Sequence, residues 1–389
     1  MSKKAAANDV ALERNMSKKV SMMQGNEACI EGALLAGCRF FAGYPITPAS
    51  ELAEVSATRM PQVGGIYIQM EDELASVNAL VGASWGGMKA MTATSGPGFS
   101  LMQEGIGYMA VTQTPAVIIN VMRGGPSTGQ PTLPSQQDVY QARYGSHGDY
   151  EIIVLAPSSA QEALDLTIRA FALAERYATP VIVLSDEIVG HTRERVTLPE
   201  APDAHSRKKP PPGWDYKAHE PIAAEGGVPY RAHFGEGYNI LVDGQLHDYM
   251  GTRKGHDPAA SARCVENICA KIRNNSNDIS DYLLYDTEDA DTILVAYGSV
   301  ARSALRAQRD ARAAGKKVGM VRLRTLFPFP DKLFSDLARE SRRFFVPEMS
   351  LGRIWRDVKL ASGLPTISLP KIGGEMHTPA EILHALEGN

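Results

Sequence analysis

Cysteine is scarce, with four in 389 residues, at Cys29, Cys38, Cys264 and Cys269. So few thiols in so long a chain exclude a disulfide scaffold. Cys264 and Cys269 lie five apart, which suits no usual zinc or iron–sulfur spacing. All four are expected to be reduced thiols of a cytoplasmic protein. No apolar run reaches the roughly 20 residues that span a bilayer. The N-terminus, MSKKAAANDVALERNMSKK, lacks the apolar centre of a secretory signal. Residues 1–21 therefore read as a mobile tail, and the string MSKK at 1–4 and 16–19 as a chance repeat. Neither sign of charge dominates, since the net charge is −4. That balance gives no reason to expect a nucleic acid or an anionic membrane as partner. The hydrolase signatures GxSxG and HExxH are absent too.

What is present is alternation. Residues 22–200 switch repeatedly between helical and strand patterns: NEACIEGALLAG with Asn26 as its cap, then RFFAG, ASELAEVSATRM, IYIQM, ELASVNALVGASW, KAMTATS, FSLMQEGIGYMA, PAVIINV, EIIVLAPS, SAQEALDLTIRAFALAERYAT and PVIVLSD. Such a rhythm predicts an α/β fold with a parallel sheet covered on both faces. Residues 201–285 break it. KKPPPGWDY is proline-rich, and the stretch after it has no clear period. A structureless loop of that length is improbable in a compact domain, so this connecting segment is expected to lie over a surface or against another subunit. From 286 to 389 the rhythm returns. DTILVAYGS, KVGMVRLRTL and RRFFVPEM read as strands between helices, which predicts a second, smaller α/β domain.

In open parallel sheets ligands gather at the carboxyl ends of the strands. After RFFAG comes Tyr44-Pro45-Ile46-Thr47-Pro48; after IYIQM, Glu71-Asp72-Glu73; after KAMTATS, Gly96-Pro97-Gly98; after PAVIINV, Met122-Arg123-Gly124. A hydroxyl, carboxylates, a glycine turn and a guanidinium would share one rim. Each also has an ordinary structural role. Thr47 can cap the next helix, and Glu73 can stabilise a helix dipole by a few tenths of a kcal/mol. Arg123 can be a solvated loop cation, and SGPG is common turn chemistry. GIGYMA (105–110) falls within a predicted helix and so is not a dinucleotide fingerprint.

Glu73 opening an Ala-rich helix, Gly82 nine residues on, and Thr94-Ser95-Gly96-Pro97-Gly98 together resemble the pyrimidine-binding domain of thiamine diphosphate enzymes. GYPITPAS narrows the likeness to the alpha subunit of 2-oxoacid:ferredoxin oxidoreductases, most closely the 2-oxoglutarate (2-oxoglutarate synthase) type. GGPSTGQPT (124–132) and ARYGSHGD (142–149) support it, and the resemblance runs over residues 22–389. It implies a pyrimidine-binding domain over 22–200, the connecting segment over 201–285, and a transketolase C-terminal-like domain over 286–389.

The resemblance also assigns roles. Glu73 would hydrogen-bond the cofactor's ring nitrogen N1′, with Glu71 and Asp72 as neighbours lacking the spacing to Gly82. Thr47, stiffened by flanking prolines, would bind the 2-oxoacid. Arg123 would pair with the substrate carboxylate, and Pro45 would lie against the cofactor ring. No GDG and no CxxC occurs here, and VDGQ (242–245) lacks the first glycine. In the family those features hold Mg2+ and a [4Fe–4S] cluster in a beta subunit. This chain is thus expected to be half of an active site with no metal ligands of its own, in an (αβ)2 assembly that uses coenzyme A and ferredoxin. The implied reaction turns 2-oxoglutarate, CoA and oxidised ferredoxin into succinyl-CoA, CO2 and reduced ferredoxin, and it can run in reverse. Pyruvate or a branched-chain 2-oxoacid is the alternative substrate, and a non-catalytic scaffold subunit the alternative function. A distal carboxylate needs a further cation, for which Arg143, Arg253 and a partner residue are the candidates. His147 and His247 stand either near the site or in structural roles. Arg253 and Lys254 also read as solvated, and Ser299 as a helix cap.

Overall fold

The apolar runs become two sheets, and the way the chain passes between them decides which strand ends stay open. The computed structural model describes residues 19–200, 205–338 and 343–388. Residues 1–18, most of the expected tail, lie outside these; the end of that tail, from Val20, already belongs to strand β1 (Val20–Gln24). There follow α1 (Gly25–Leu35), β2 (Phe40–Gly43), α2 (Ser50–Gln62), β3 (Ile66–Gln69), α3 (Glu73–Trp85), β4 (Ala90–Thr94), α4 (Gly96–Leu101), α5 (Gln103–Val111) and β5 (Ala116–Gly124). A short β6 (Gln130–Pro134) folds back onto β5. Then come α6 (Val139–Tyr144), β7 (Ile153–Leu155), α7 (Ala160–Tyr177), β8 (Pro180–Asp186), α8 (Glu187–His191) and β9 (Arg193–Thr197), which pairs with β1.

The strands line up in the order β7-β8-β5-β4-β2-β3, all parallel. β4, β5 and β8 are buried at every position, as the unbroken apolar runs of a sheet covered on both faces require. α1 and α7 pack closely on one face. Gly32 permits this, because a Cβ there would stand 2.6 Å from the Leu164 carbonyl oxygen. Asn26 does not cap α1. The Gln24 N–H donates to Glu27 Oε2 at 2.8 Å, the helix starts at Gly25, and Asn26 lies inside it. The predicted helix FSLMQEGIGYMA is two helices, α4 and α5, that meet at Met102.

Residues 205–257 hold no regular element beyond one 3₁₀ turn, Ala223–Glu225, and two isolated bridges, Ile222 with Val228 and His247 with Arg253. They are nevertheless tied down. Arg231 is fully enclosed and donates to the carbonyls of Thr112, Gln113 and Ala218. Arg207 pairs with Glu175 at 2.8 Å and donates to the Ser84 carbonyl. A helix that the pattern did not predict follows, α9 (Pro258–Arg273), with the Asp257 carboxylate accepting from Ala259 and Ala260 N–H. Its Lys271 donates to Gln113 Oε1 (2.7 Å) and the Ala178 carbonyl (2.9 Å). Gln113 precedes β5 and Ala178 precedes β8, so the segment wraps the amino ends of the strands.

The chain continues through α10 (Ser276–Ile279), β10 (Tyr282–Tyr285), β11 (Thr292–Ala296), α11 (Val300–Ala313), β12 (Val318–Leu323), β13 (Thr325–Phe327), α12 (Asp331–Ala338), β14 (Arg343–Glu348), α13 (Ile354–Ser362), β15 (Thr366–Pro370) and α14 (Pro379–Glu387), and all of these strands but β13 form a second sheet. Its order is β10-β12-β11-β14-β15, with only β10 antiparallel. KVGMVRLRTL, predicted as one strand, divides at Arg324. β12 stays in this sheet, while β13 crosses to pair antiparallel with β7 of the large one. The seam is polar. Gln136 exchanges hydrogen bonds with Met349 and donates to the Tyr297 carbonyl. Ser299 caps nothing with its side chain; its backbone N–H donates to Asp186 Oδ2 at 2.8 Å. Among the described residues no helix is long and apolar enough to cross a membrane.

His219 and His247 lie in the wrapped segment, 4% and 3% exposed, with ring centroids 4.2 Å apart. Burial holds both imidazoles below their usual titration range, and the nearby Arg231 adds to the effect. The folded chain therefore binds fewer protons here than the unfolded one, and stability is lost as pH falls through about 6.5. Buried carboxyls with raised values, such as Glu73 and Asp186, act in the opposite sense. A comparison with His219→Gln isolates the histidine effect. Between pH 7.5 and 5.5 the wild type should lose on the order of 1 kcal/mol more than the variant, read from urea midpoints.

Candidate active site

The rim at the carboxyl ends of the strands is left open. β2 ends at Gly43, and the Tyr44–Pro48 turn follows with Pro45 and Thr47 exposed. Its carbonyls are held one after another. Ile46 O accepts from Ala49 N–H at 2.8 Å, Thr47 O from Arg123 Nη1 at 2.6 Å, and Pro48 O from Asn26 Nδ2 at 2.9 Å. The backbone of Thr47 is thus fixed while its side chain faces outward.

The three acids after β3 part company. Glu71 is exposed. Asp72 caps α3, its Oδ1 accepting from Ala75 N–H at 2.8 Å. Glu73, the first residue of α3, turns inward and is 5% exposed. Its carboxyl sits over Gly98 of α4, where a Cβ would stand 2.2 Å from Glu73 Oε1 and 2.3 Å from Thr94 Oγ1. Only a glycine hydrogen fits there, so α4 packs directly against both the Glu73 carboxyl and the Thr94 hydroxyl at the end of β4. Burial raises the pKa of Glu73, Asp72 raises it further, and Arg123 opposes them.

Arg123 ends β5 almost fully buried at 6% exposure. Gly96, at φ +45, lies beneath it, and a Cβ there would approach Nε to 3.2 Å. Desolvation weakens its hold on the proton, while Asp138 and Glu73 strengthen it. A guanidinium stays charged through such shifts. Asp138 is itself held by Asn120 Nδ2 at 3.0 Å. The structure thus joins Arg123 to the Thr47 turn by a hydrogen bond and to Glu73 by its field. Buried polar atoms on this rim without a protein partner include Thr94 Oγ1, Ser95 Oγ, Asn120 Oδ1 and Arg123 Nε.

Other candidates lie elsewhere. Arg143 is paired with Glu151 at 2.8 Å, and Arg253 with Asp243 at 2.6 Å. His147 is exposed and lines a separate cleft with Tyr108 and Gly244. His247 is at the opposite rim, against His219. Among the described residues no three or more His, Cys, Asp or Glu side chains are grouped to hold a metal ion. Sequence reasoning missed Asn26, which looked like a cap, and Asp138, which no motif marked.

Residues 31–257 match the family described as pyruvate flavodoxin/ferredoxin oxidoreductase, thiamine diphosphate-binding, and residues 290–382 match pyruvate:ferredoxin oxidoreductase core domain II. The chain belongs to the pyruvate flavodoxin/ferredoxin oxidoreductase family. It is 50% identical to the 2-oxoglutarate synthase subunit KorA of Methanothermobacter marburgensis, over 94% of this chain and 98% of the relative. It is 37% identical to the ketoisovalerate oxidoreductase subunit VorB of Methanothermobacter thermautotrophicus, over 94% and 96%. A solved 2-oxoglutarate:ferredoxin oxidoreductase from Magnetococcus marinus, with 2-oxoglutarate, coenzyme A and succinyl-CoA bound, superposes with a TM-score of 0.91 at 32% identity. That match takes in 95% of this chain and 65% of the other. A split-gene transketolase, at a TM-score of 0.54 and 14% identity, shares the fold alone.

The matched family description names thiamine diphosphate, whose aminopyrimidine ring can hydrogen-bond a carboxyl. Glu73 fits: it is buried, its pKa is raised, and it lies beside the unpartnered Thr94 hydroxyl, packed against Gly98 where no side chain has room. Two glycines test this packing in opposite directions. Gly98→Ala should destabilise the fold by about 1–3 kcal/mol through overpacking. Gly82→Ala, with nothing within 4 Å of its Cβ, should stabilise α3 by up to about 1 kcal/mol. Denaturant midpoints of the two variants check both signs.

Proposed function

We propose that this chain is the alpha subunit of a thiamine diphosphate-dependent 2-oxoglutarate:ferredoxin oxidoreductase. The observation that carries the reading is the inward carboxyl of Glu73 on the same rim as the Thr47 turn and its Arg123 anchor. The reaction is 2-oxoglutarate plus CoA plus two oxidised ferredoxins giving succinyl-CoA, CO2, a proton and two reduced ferredoxins. The names of the relatives, and the step in identity from 50% to 37% between the 2-oxoglutarate and ketoisovalerate subunits, favour this substrate. Since Arg143 and Arg253 are already paired, the cation for the distal carboxylate is assigned to the partner subunit.

Thiamine diphosphate, when bound, supplies a nucleophilic carbon and a sink for the electron pair that decarboxylation releases. The chain's own residues do the rest. Glu73 holds or shares a proton at its carboxyl, and its raised pKa brings that exchange nearer neutrality. Asp72 cannot substitute, because its carboxylate caps the helix and accepts from the Ala75 N–H. Thr47 offers its hydroxyl to the 2-oxoacid from a turn whose carbonyls are already anchored, so little ordering is left to do on binding. Arg123 supplies the positive charge for the substrate carboxylate. Its Nη1 is engaged with Thr47 O, so the guanidinium also sets the distance between charge and hydroxyl. Pro45 is exposed on the same turn, where it would lie against the cofactor ring.

The sequence has neither GDG nor CxxC, so Mg2+, the diphosphate contacts and the [4Fe–4S] cluster are assigned to a beta subunit in an (αβ)2 complex. The free, buried thiols suit the reducing cytoplasm.

The test is viologen reduction by the purified αβ complex with CoA and a panel of 2-oxoacids. The highest kcat/KM should belong to 2-oxoglutarate; a clear preference for pyruvate or 2-oxoisovalerate rejects the substrate assignment. Glu73→Gln should lower kcat by about 10²–10⁴-fold with the complex still assembled. Undiminished turnover in that variant leaves only a scaffold role for this chain.

A further inference from the structure

The Thr47 turn is gripped from two elements at once. Arg123 of β5 holds the Thr47 carbonyl, and Asn26 of α1 holds the next one, on Pro48. Asn26 is polar and 1% exposed, in the first turn of a helix whose cap lies elsewhere. Both N–H groups of its amide are in use, one on Pro48 O and one on Glu51 Oε2, each at 2.9 Å. His191 stands 3.4 Å from the same Glu51 oxygen. α8 closes over the amide. A Cβ on Gly190 would stand 2.8 Å from Asn26 Oδ1, and one on Gly25 would stand 2.1 Å from the Val189 carbonyl oxygen. The side chain is boxed in, and it spends its donors on the substrate turn and on the helix that follows that turn.

We infer that Asn26 is a positioning residue for the 2-oxoacid: through the Pro48 carbonyl it keeps Thr47 at the place its hydroxyl must occupy. The inference rests on the reading of Thr47 given under the proposed function. An aspartate of the same shape has no donors, and it would set a carboxylate against both the Pro48 carbonyl and Glu51. Misplacing a binding group by even an ångström is enough to lower rates severely.

The experiment is a double-mutant cycle in the assembled αβ complex, with Asn26→Asp, Thr47→Ala and the pair, each assayed for KM of the 2-oxoacid, KM of CoA and kcat. If Asn26 acts through Thr47, Asn26→Asp raises the 2-oxoacid KM about tenfold and changes the CoA KM less than twofold. In the Thr47→Ala background it then adds less than about threefold, because coupled residues are not additive. Should Asn26→Asp fail to assemble, Asn26→Ser, which keeps one donor, enters the same cycle. Losses that multiply in the double variant overturn the inference, as does a loss falling equally on CoA, or failure of both Asn26 variants to assemble. Full activity in Thr47→Ala overturns the reading of the turn, and the inference with it. Loss in Thr47→Ala with multiplying losses in the pair overturns the inference alone.

Discussion

A buried guanidinium has to find acceptors or pay heavily in desolvation. Arg123 finds one in the Thr47 carbonyl, 2.6 Å away. That bond joins the loop after β2 to the end of β5, two strands apart in the sheet because β4 lies between them. It therefore fixes a distance that no single loop could fix for itself. The prolines on either side of Ile46-Thr47 restrict φ locally, but stiffness alone does not set where a turn points. The arginine does that. It is also the positive charge closest in effect to Glu73, so one side chain sets both the position of the hydroxyl and part of the electrostatics of the carboxyl.

Glu73 shows how three adjacent acids come to do different work. The helix N-terminus needs a capping oxygen, and Asp72 has the shorter side chain suited to it. With the cap filled, the next residue is free to turn inward, where α4 passes so near that only Gly98 fits. Desolvation then raises the carboxyl's pKa, and the Asp72 charge one residue back adds to the rise. Arg123 pulls the other way. Burial is the largest of these effects, so the sum lies on the raised side, which is the side a proton-sharing carboxyl requires.

The parallel sheet and the strand-end loops were legible because both rest on local pattern. Continuous apolar runs between glycine and proline marks place the strands, and the strand ends follow. Glu73, Thr47 and Arg123 could be placed at strand ends for that reason, while the roles expected of them came from the family resemblance. Asn26 could not be singled out, because its role depends on a helix starting one residue earlier and on a turn 22 residues away. α9 was missed for a related reason. Its apolar face is sparse, and its buried Lys271 reads as solvated until the carbonyl of Ala178 and the amide of Gln113 are seen beside it. The single strand expected in KVGMVRLRTL fails at Arg324, where pairing partners change from one sheet to another. Periodicity marks an extended segment, but it does not say which sheet will hold it.

The cationic side chains of the connecting segment and α9 tie that segment to the amino ends of the strands and leave the carboxyl ends uncovered by it. Arg231 and Lys271 spend their donors on groups just before β5 and β8, and Arg207 spends its own on Glu175 and on the carbonyls of Ser84, in the last turn of α3, and Met88 just beyond it. Burial depresses the pKa of Lys271 strongly, a burden that a chain tolerates where the carbonyls are fixed and water is excluded. The segment seals the amino ends of the strands with those bonds. The opposite ends keep Thr94, Ser95 and Arg123 with polar atoms that no protein group satisfies. A buried hydroxyl without a partner is costly, so atoms of this kind persist where a ligand completes them. His219 Nδ1 and His247 Nε2 are unpartnered as well, at the amino ends, so orphaned atoms do not by themselves choose between the rims. What distinguishes the carboxyl-end rim is that its unpartnered atoms stand with the inward carboxyl of Glu73 and with the turn that Arg123 anchors.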